Sequence, residues 1–245
     1  MTAVSGERGI EEARNTVIAQ GTPYRLNPAP HSSHTILLSH FPEPGSGARV
    51  LDLGCGDGYL GSILSERGYS VTGVERTGGF TERFPASVSL IEADLEGGLG
   101  PVTGTYDAVI CADVLEHLRG PEELLRVIAR IIAPGGRLVL SLPNSGNFYF
   151  RMNVLLGRFP HEDRGLFDRT HLRFYTLDGW KELVESCGYT IRLIQPTIIP
   201  LRFAIPKWAE SAIVRAGEEI YHLGARAWPS LFAYQFVVIA EPCQQ

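Results

Sequence analysis

Two rhythms of apolar and polar positions run along the chain. Short apolar runs, "RVLDL" (49–53), "YSVTGVE" (69–75), "VSLIEA" (88–93), "YDAVICA" (106–112) and "GRLVLSL" (136–142), read as buried strands. Between the last two, "PEELLRVIARII" puts Leu124, Leu125, Ile128, Ile131 and Ile132 on one helical face, with Pro121 at its start and "PGG" (134–136) as its stop. The helical spacing returns in "TLDGWKELVESCG" (176–188), where Gly188 is placed as a C-terminal cap before the strand "YTIRLIQ" (189–195). A last strand is read in "FAYQFVVIA" (232–240). Strand-like and helix-like stretches alternate from Arg49 to Gln195, which predicts an α/β fold with a mainly parallel sheet and helices on both faces.

Three segments break the alternation. Residues 1–48 are cut into short pieces by Pro23, Pro28, Pro30, Pro42 and Pro44 and read as a helical cap ahead of a main domain over 49–245. Residues 143–175 and 196–230 read as insertions after strands, where folds of this kind commonly build their substrate wall. Lys plus Arg total 22 against 27 Asp plus Glu among 245 residues, a formal net charge of −5, so the basic footprint of nucleic-acid binding is missing. The polar, acidic start and the lack of any run near the roughly 18 apolar residues of a membrane span point to a cytoplasmic enzyme. Cys55, Cys111, Cys187 and Cys243 stand too far apart for a zinc site or a disulfide framework and read as free thiols.

The chemistry concentrates in "VLDLGCGDGYLG" (50–61), a strand running into four glycines. Gly56, Gly58 and Gly61 match the dinucleotide fingerprint, and Glu75 follows at a ribose-binding distance. Asp52 and Asp57 speak against a pyrophosphate, since a carboxylate 4 Å from a phosphate costs about 4 kcal/mol at an effective dielectric near 20. A cationic ligand reverses that sign. S-adenosylmethionine carries a sulfonium and an ammonium beside an adenosine that needs no phosphate pocket. Glu75 is then placed to accept from both ribose hydroxyls and Asp94 to meet the adenine amino group.

These stretches resemble the class I S-adenosylmethionine-dependent methyltransferases: "VLDLGCGDG" their first motif, "VTGVE" their acidic second strand, "EADLE" their adenine-site acid, "YDAVICADVLEHL" their fourth strand and "APGGRLVLSLPN" their fifth. "GRFPHEDRGLFDRTHLRFYT" and "PSLFAYQFVVIAEP" extend the resemblance over most of the chain, and it looks most like a bacterial small-molecule branch. The resemblance implies a Rossmann-like seven-stranded sheet with its last strand antiparallel. Carried over, it implies Asp52, Gly54, Cys55, Gly56 and Gly58 around the methionine part of the cofactor, and Glu75 with Arg76 at the ribose. It further implies Asp94 and Leu95 at the adenine, Ala112 and Asp113 beneath the cofactor, and S-adenosylhomocysteine as the product.

For the acceptor, histidine suits removal of a hydroxyl proton because its ordinary pKa lies near 6.5. His171, in the insertion after the fifth strand, is the first candidate base, and His117, after the fourth strand, the second; Glu116 reads as a structural or helix-start acid. Arg151, Arg158, Arg164, Arg169 and Arg173 crowd one stretch, and Asn144, Arg169 and Arg173 are candidate contacts to a phosphate- or carboxylate-bearing acceptor. Residues 198–228 mix aromatic and basic positions; a lid or a dimer contact fits them better than a membrane surface. His161, Glu162 and Asp163 are adjacent and cannot converge on one ion, so no metal is expected. His31 and His34 read as surface or cap residues. The expected activity is O-methylation of a small or carrier-linked metabolite, a sugar or glycan precursor first, by a monomer or homodimer. A quinone or polyketide phenol, an amine, a binding protein without turnover, and a dinucleotide-dependent dehydrogenase are the alternatives.

Overall fold

The computed structural model describes residues 27–42, 47–76, 84–199 and 211–243. Seven strands form one sheet: β1 (Arg49–Leu53), β2 (Ser70–Glu75), β3 (Ser89–Glu92), β4 (Tyr106–Ala112), β5 (Ile132–Pro143), β6 (Tyr189–Pro196) and β7 (Gln235–Pro242). Their order is β3-β2-β1-β4-β5-β7-β6, with β7 antiparallel to both neighbours and every other pairing parallel. The helices are α1 (Ser33–Ser39), α2 (Tyr59–Glu66), α3 (Pro121–Ile131), α4 (Phe148–Leu155), α5 (Leu177–Ser186), α6 (Ala212–Ala227) and the short α7 (Pro229–Phe232).

Strand alternation sorts the core into two layers. Leu51, Leu53, Val109, Leu138 and Leu140 face one side, where Leu124, Leu125 and Ile128 of α3 and Trp180, Leu183 and Val184 of α5 cover them. Val50, Ala108, Ile110, Val139 and Val237 face the other, beneath Ile36, Leu37 and Leu38 of α1 and Leu60 and Leu64 of α2. Two buried polar groups fasten α5 and β6 across the first layer: the Trp180 indole donates to the Pro143 carbonyl at 2.7 Å, and the Tyr189 hydroxyl to the Leu125 carbonyl at 2.7 Å. Gly188 takes the left-handed conformation (φ 88°) just past α5, as its spacing predicts.

Helix α3 ends earlier than "PGG" implies. Ile131 is its last residue, and Ile132 opens β5, pairing with Tyr106 before a register shift to Arg137 opposite Ala108. Ile132 is buried as a strand residue, so tertiary pairing overrides the helical run. Of the N-terminal cap, residues 27–42 are described and hold α1; residues 1–26 and 43–46 lie outside the described residues, as do 200–210 of the second insertion. No helix among the described residues is long and apolar enough to cross a membrane. Because β1 leads outward to β2 and β3 while β4 returns on its other side, the crevice between the carboxyl ends of β1 and β4 is the switch point where open α/β sheets receive ligands.

Candidate functional site

One wall of that crevice is the glycine loop. Gly54, Gly56 and Gly58 all have positive φ (67°, 56° and 76°), and Gly58 is the N-cap of α2. The loop folds back on β2, with the Gly54 and Cys55 amides donating to the Val74 carbonyl. A Cβ on Gly54 would stand 2.6 Å from Val114 Cγ2, so the loops after β1 and β4 touch there, whereas a Cβ on Gly56 would meet nothing within 4 Å among the described residues. Gly56 therefore leaves room for a ligand to reach the backbone. Beneath it, Asp52 is 2% exposed, and its Oδ2 has no hydrogen-bond partner among the described residues. Burial first, and the negative charge of Glu75 second, push its carboxyl up to about 7. Glu75 accepts from the Gly56 amide at 2.8 Å through one oxygen and from the Arg76 amide at 3.0 Å through the other. An anionic ligand would add repulsion to this pair, and a cationic one would relieve it.

Across the crevice, the turn after β4 holds a second cluster. Asp113 has φ 55°, a strained conformation for a residue with a side chain. It is pinned from β5 and β7: its amide donates to the Ser141 carbonyl, and its Oδ1 accepts from Ser141 Oγ at 3.0 Å and Gln235 Nε2 at 2.7 Å. The short 3₁₀ turn Leu115–His117 follows, with Glu116 1% exposed. The Glu116 carbonyl accepts from the Leu172 and Arg173 amides, which ties the insertion after β5 to this turn. Its carboxyl, held well above its usual range by burial and then by Asp113, has one oxygen 3.9 Å from His171 Nε2 and the other without a partner among the described residues.

The rings of His117 and His171 meet edge to face, 4.8 Å between centroids. Asp113, Glu116, His117, Arg164, Asp168, His171, Tyr234 and Gln235 line a cavity of about 200 Å³. Beside it lies a packed aromatic cluster, none of whose rings lines the cavity: Phe150 stacks on Phe167 at 4.5 Å, and Phe159 and Phe174 pack edgewise and tilted against them, with Phe174 reaching the His171 ring. Burial first, and His117 second, push the His171 imidazole down to about 4, so it stays neutral near pH 7. Glu116, His117 and His171 each bring one donor atom within 4.8 Å of the others, a spacing at which a bound hydroxyl, or an ion, could bridge them.

A family model for a methyltransferase domain matches residues 31–194, two thirds of the sequence. The chain belongs to that family. Among curated proteins it is 34% identical over 117 residues to a ubiquinone biosynthesis O-methyltransferase of Xanthomonas oryzae pv. oryzae, covering 45% of this chain and 49% of that one. The chain thus spans about half the length of such relatives. Among solved structures, a SAM-dependent methyltransferase from Archaeoglobus fulgidus superposes with a TM-score of 0.58 at 20% identity, over 84% of this chain and 91% of that one. The [4+2]-cyclase SpnF does so with a TM-score of 0.58 at 17% identity, over 96% and 94%. The seven-stranded architecture is that of the class I S-adenosylmethionine-dependent methyltransferases, as the motifs imply.

The methyltransferase fold gathers most of the residues singled out by sequence. Asp52, Gly54, Gly56, Gly58 and Glu75 share one wall of the crevice; Ala112 and Asp113 stand on the other. Asp94 is exposed and caps the 3₁₀ turn Leu95–Gly97, its Oδ1 accepting from the Glu96 amide. Cys55 turns its thiol under the sheet, where a Cβ on Gly73 would lie 2.6 Å from its Sγ, so it can offer a ligand only backbone.

The acceptor contacts fare differently. Asn144 is fully buried, its amide donating to the Ala233 carbonyl at 2.8 Å and its oxygen accepting from the Gly146 amide, so it clasps the corner before β7. Arg169 is exposed and paired with Asp163, and Arg173 donates to the Arg119 carbonyl; neither lines the cavity, whereas Arg164 does. His34 is half-buried in the cap: it accepts from the Asn27 amide at 2.9 Å and bonds the Tyr59 hydroxyl at 2.6 Å, joining the cap to the start of α2. His31 stacks on His222 of α6 at 3.8 Å. Glu116 turns into the cavity, beyond the helix-start role, and Asp168, Tyr234 and Gln235 join it there without any local sequence signal.

Proposed function

We propose that this protein transfers a methyl group from S-adenosylmethionine to a hydroxyl of a small aromatic acceptor, with His117 as the general base. The observation that carries the reading is the cavity that brings the imidazoles of His117 and His171 beside the carboxyls of Asp113 and Glu116, next to a glycine loop whose buried Asp52 Oδ2 has no hydrogen-bond partner among the described residues. Bound S-adenosylmethionine supplies a methyl activated by its sulfonium. The chain's own part is to close the Gly54–Gly58 backbone and the carboxylates of Asp52 and Glu75 around a cation, and to hold the acceptor in line with the methyl in the cavity. His171, pushed down to about 4, is a poor proton acceptor at neutral pH and serves better as a neutral hydrogen-bonding group, so we assign the proton to His117.

A phenolic acceptor is favoured over a sugar by the name of relatives called ubiquinone biosynthesis O-methyltransferases; Arg169 and Arg173 do not line the cavity, and Arg164 is the arginine that does. A protein of this fold that binds without methyl transfer is the second reading, since a [4+2]-cyclase shares the architecture.

Calorimetric titration with S-adenosylmethionine, S-adenosylhomocysteine, NAD and NADP tests the first step: the first two should bind, and binding of NAD alone would refute the cation reading. Transfer of labelled methyl to a panel of simple phenols and sugars tests the second. Phenols should be methylated, and His117→Ala should lower that turnover by about 10²–10⁴-fold without weakening the cofactor. Cofactor binding without transfer to any member of the panel would favour the second reading.

A further inference from the structure

We infer that Asp168 and Thr170 are positioning residues that fix the tautomer of His117, placing its proton on Nδ1 and its lone pair on Nε2. The inference rests on the reading of His117 as base but is decided by four hydrogen-bond contacts of the insertion. His117 Nδ1 lies 3.2 Å from the main-chain oxygen of Thr170. A carbonyl oxygen can only accept, so Nδ1 must donate. The Thr170 hydroxyl is 3.0 Å from the same nitrogen, and it has a single proton to give. That proton goes to Asp168: the hydroxyl donates to Asp168 Oδ1 at 2.6 Å, and the Thr170 amide donates to the same oxygen at 2.8 Å. With its proton spent, the hydroxyl presents a lone pair to His117, as the carbonyl does. The opposite tautomer would set the Nδ1 lone pair against two oxygens. In the neutral ring, Nε2 is therefore the nitrogen free to take a proton.

The insertion is built to hold this arrangement. Asp168 closes a turn through its amide to the Gly165 carbonyl, while the Arg169 amide donates to the Glu162 carbonyl and the His171 amide to the Asp168 carbonyl. Burial alone would raise the Asp168 carboxyl, but the two bonds from Thr170 and the nearby imidazoles of His171 and His117 outweigh it and hold the group below its usual range. An ionised Asp168 is an acceptor only, which keeps the Thr170 proton pointing at it and away from His117. A base oriented by a third group through hydrogen bonds is the general logic of activated proton acceptors, here with a threonine interposed. It also gives the "DRT" preceding His171 a role that the sequence alone leaves open.

Long-range proton–nitrogen correlation of the ¹⁵N-labelled full chain, at a pH where histidines are neutral and with a chelator present, reads the tautomer directly; His117→Gln identifies the signals. The wild type should show Nδ1 as the protonated nitrogen and Nε2 as the bare one. Thr170→Val removes the hydroxyl and should mix the tautomers. Asp168→Ala frees the Thr170 proton to turn toward Nδ1 and should shift the ring toward the Nε2–H form, while Thr170→Ser should restore the wild-type pattern. S-adenosylmethionine affinity, measured on each variant, verifies that the fold is intact. A bare Nδ1 in the wild type, or a pattern unmoved by both Thr170→Val and Asp168→Ala, overturns the inference. Methyl transfer by His117→Gln that matches wild type would overturn the base assignment instead, leaving the tautomer result to stand by itself.

Discussion

Binding of S-adenosylmethionine should expel a proton and tighten about tenfold between pH 6 and pH 8, because Asp52 is only partly ionised in the free protein. Its carboxyl is pushed up to about 7 by burial and by Glu75. Roughly a tenth of the molecules then carry the charge at pH 6 and nine tenths at pH 8, and a cationic ligand that needs the charged form binds in proportion. Calorimetry in two buffers of different ionisation enthalpy should show proton release below pH 7, fading above it. Asp52→Asn should flatten the dependence and weaken binding at pH 8. An affinity flat in pH, with no buffer effect, would refute the coupling of Asp52 to the ligand's positive charge.

The same carboxyl carries a cost in stability whose sign is fixed. Its folded value lies above the ordinary 3.8 of the unfolded chain, so the native state is penalised as pH rises from about 4 to about 7, by an amount on the order of 4 kcal/mol in full. Asp52→Asn should therefore raise the melting temperature of the ligand-free protein at pH 8 more than at pH 4.

Three further perturbations test the frame around the site. Gly54→Ala sets a Cβ 2.6 Å from Val114 Cγ2 at a φ of 67°, and should cost about 1–3 kcal/mol in urea unfolding as well as cofactor affinity. Gly56→Ala has open space around it and should lose affinity out of proportion to its smaller loss of stability; equal losses in the two variants would place the ligand elsewhere. Trp180→Phe deletes the donor to the buried Pro143 carbonyl at 2.7 Å, and should lower the urea midpoint by an amount worth about 1–3 kcal/mol with an unchanged slope.

The sheet was legible because its central strands are buried on both faces and read as continuous apolar runs. Arg49–Leu53 and Tyr106–Ala112 match their predicted limits, and the remaining strands match within a few residues. The misplacement at Ile132 has a local cause. "RIIAPGG" satisfies a helical period up to the glycines, and only the pairing of Ile132 with Tyr106, 26 positions earlier, assigns it to a strand. Sequence periodicity carries no information about such a partner.

The glycine loop was legible for a different reason: its candidate ligand contacts are nearly consecutive, so spacing alone marks them. The cavity draws instead on residues 113–117, 164–171 and 234–235, which become neighbours only because β4, β5 and β7 lie side by side. Nothing near Gln235 in the chain reveals that its amide will hold Asp113, and nothing near Asn144 reveals that its side chain will be consumed by the corner at Ala233. An asparagine beside a strand end and an arginine in a basic run look alike as ligand contacts until the geometry shows which polar groups are already satisfied. A residue whose hydrogen bonds are spent inside the fold can position a site but has nothing left for an acceptor. One left unpaired in a buried wall, as Glu116 Oε2 is among the described residues, is where a substrate's polar atom gains most.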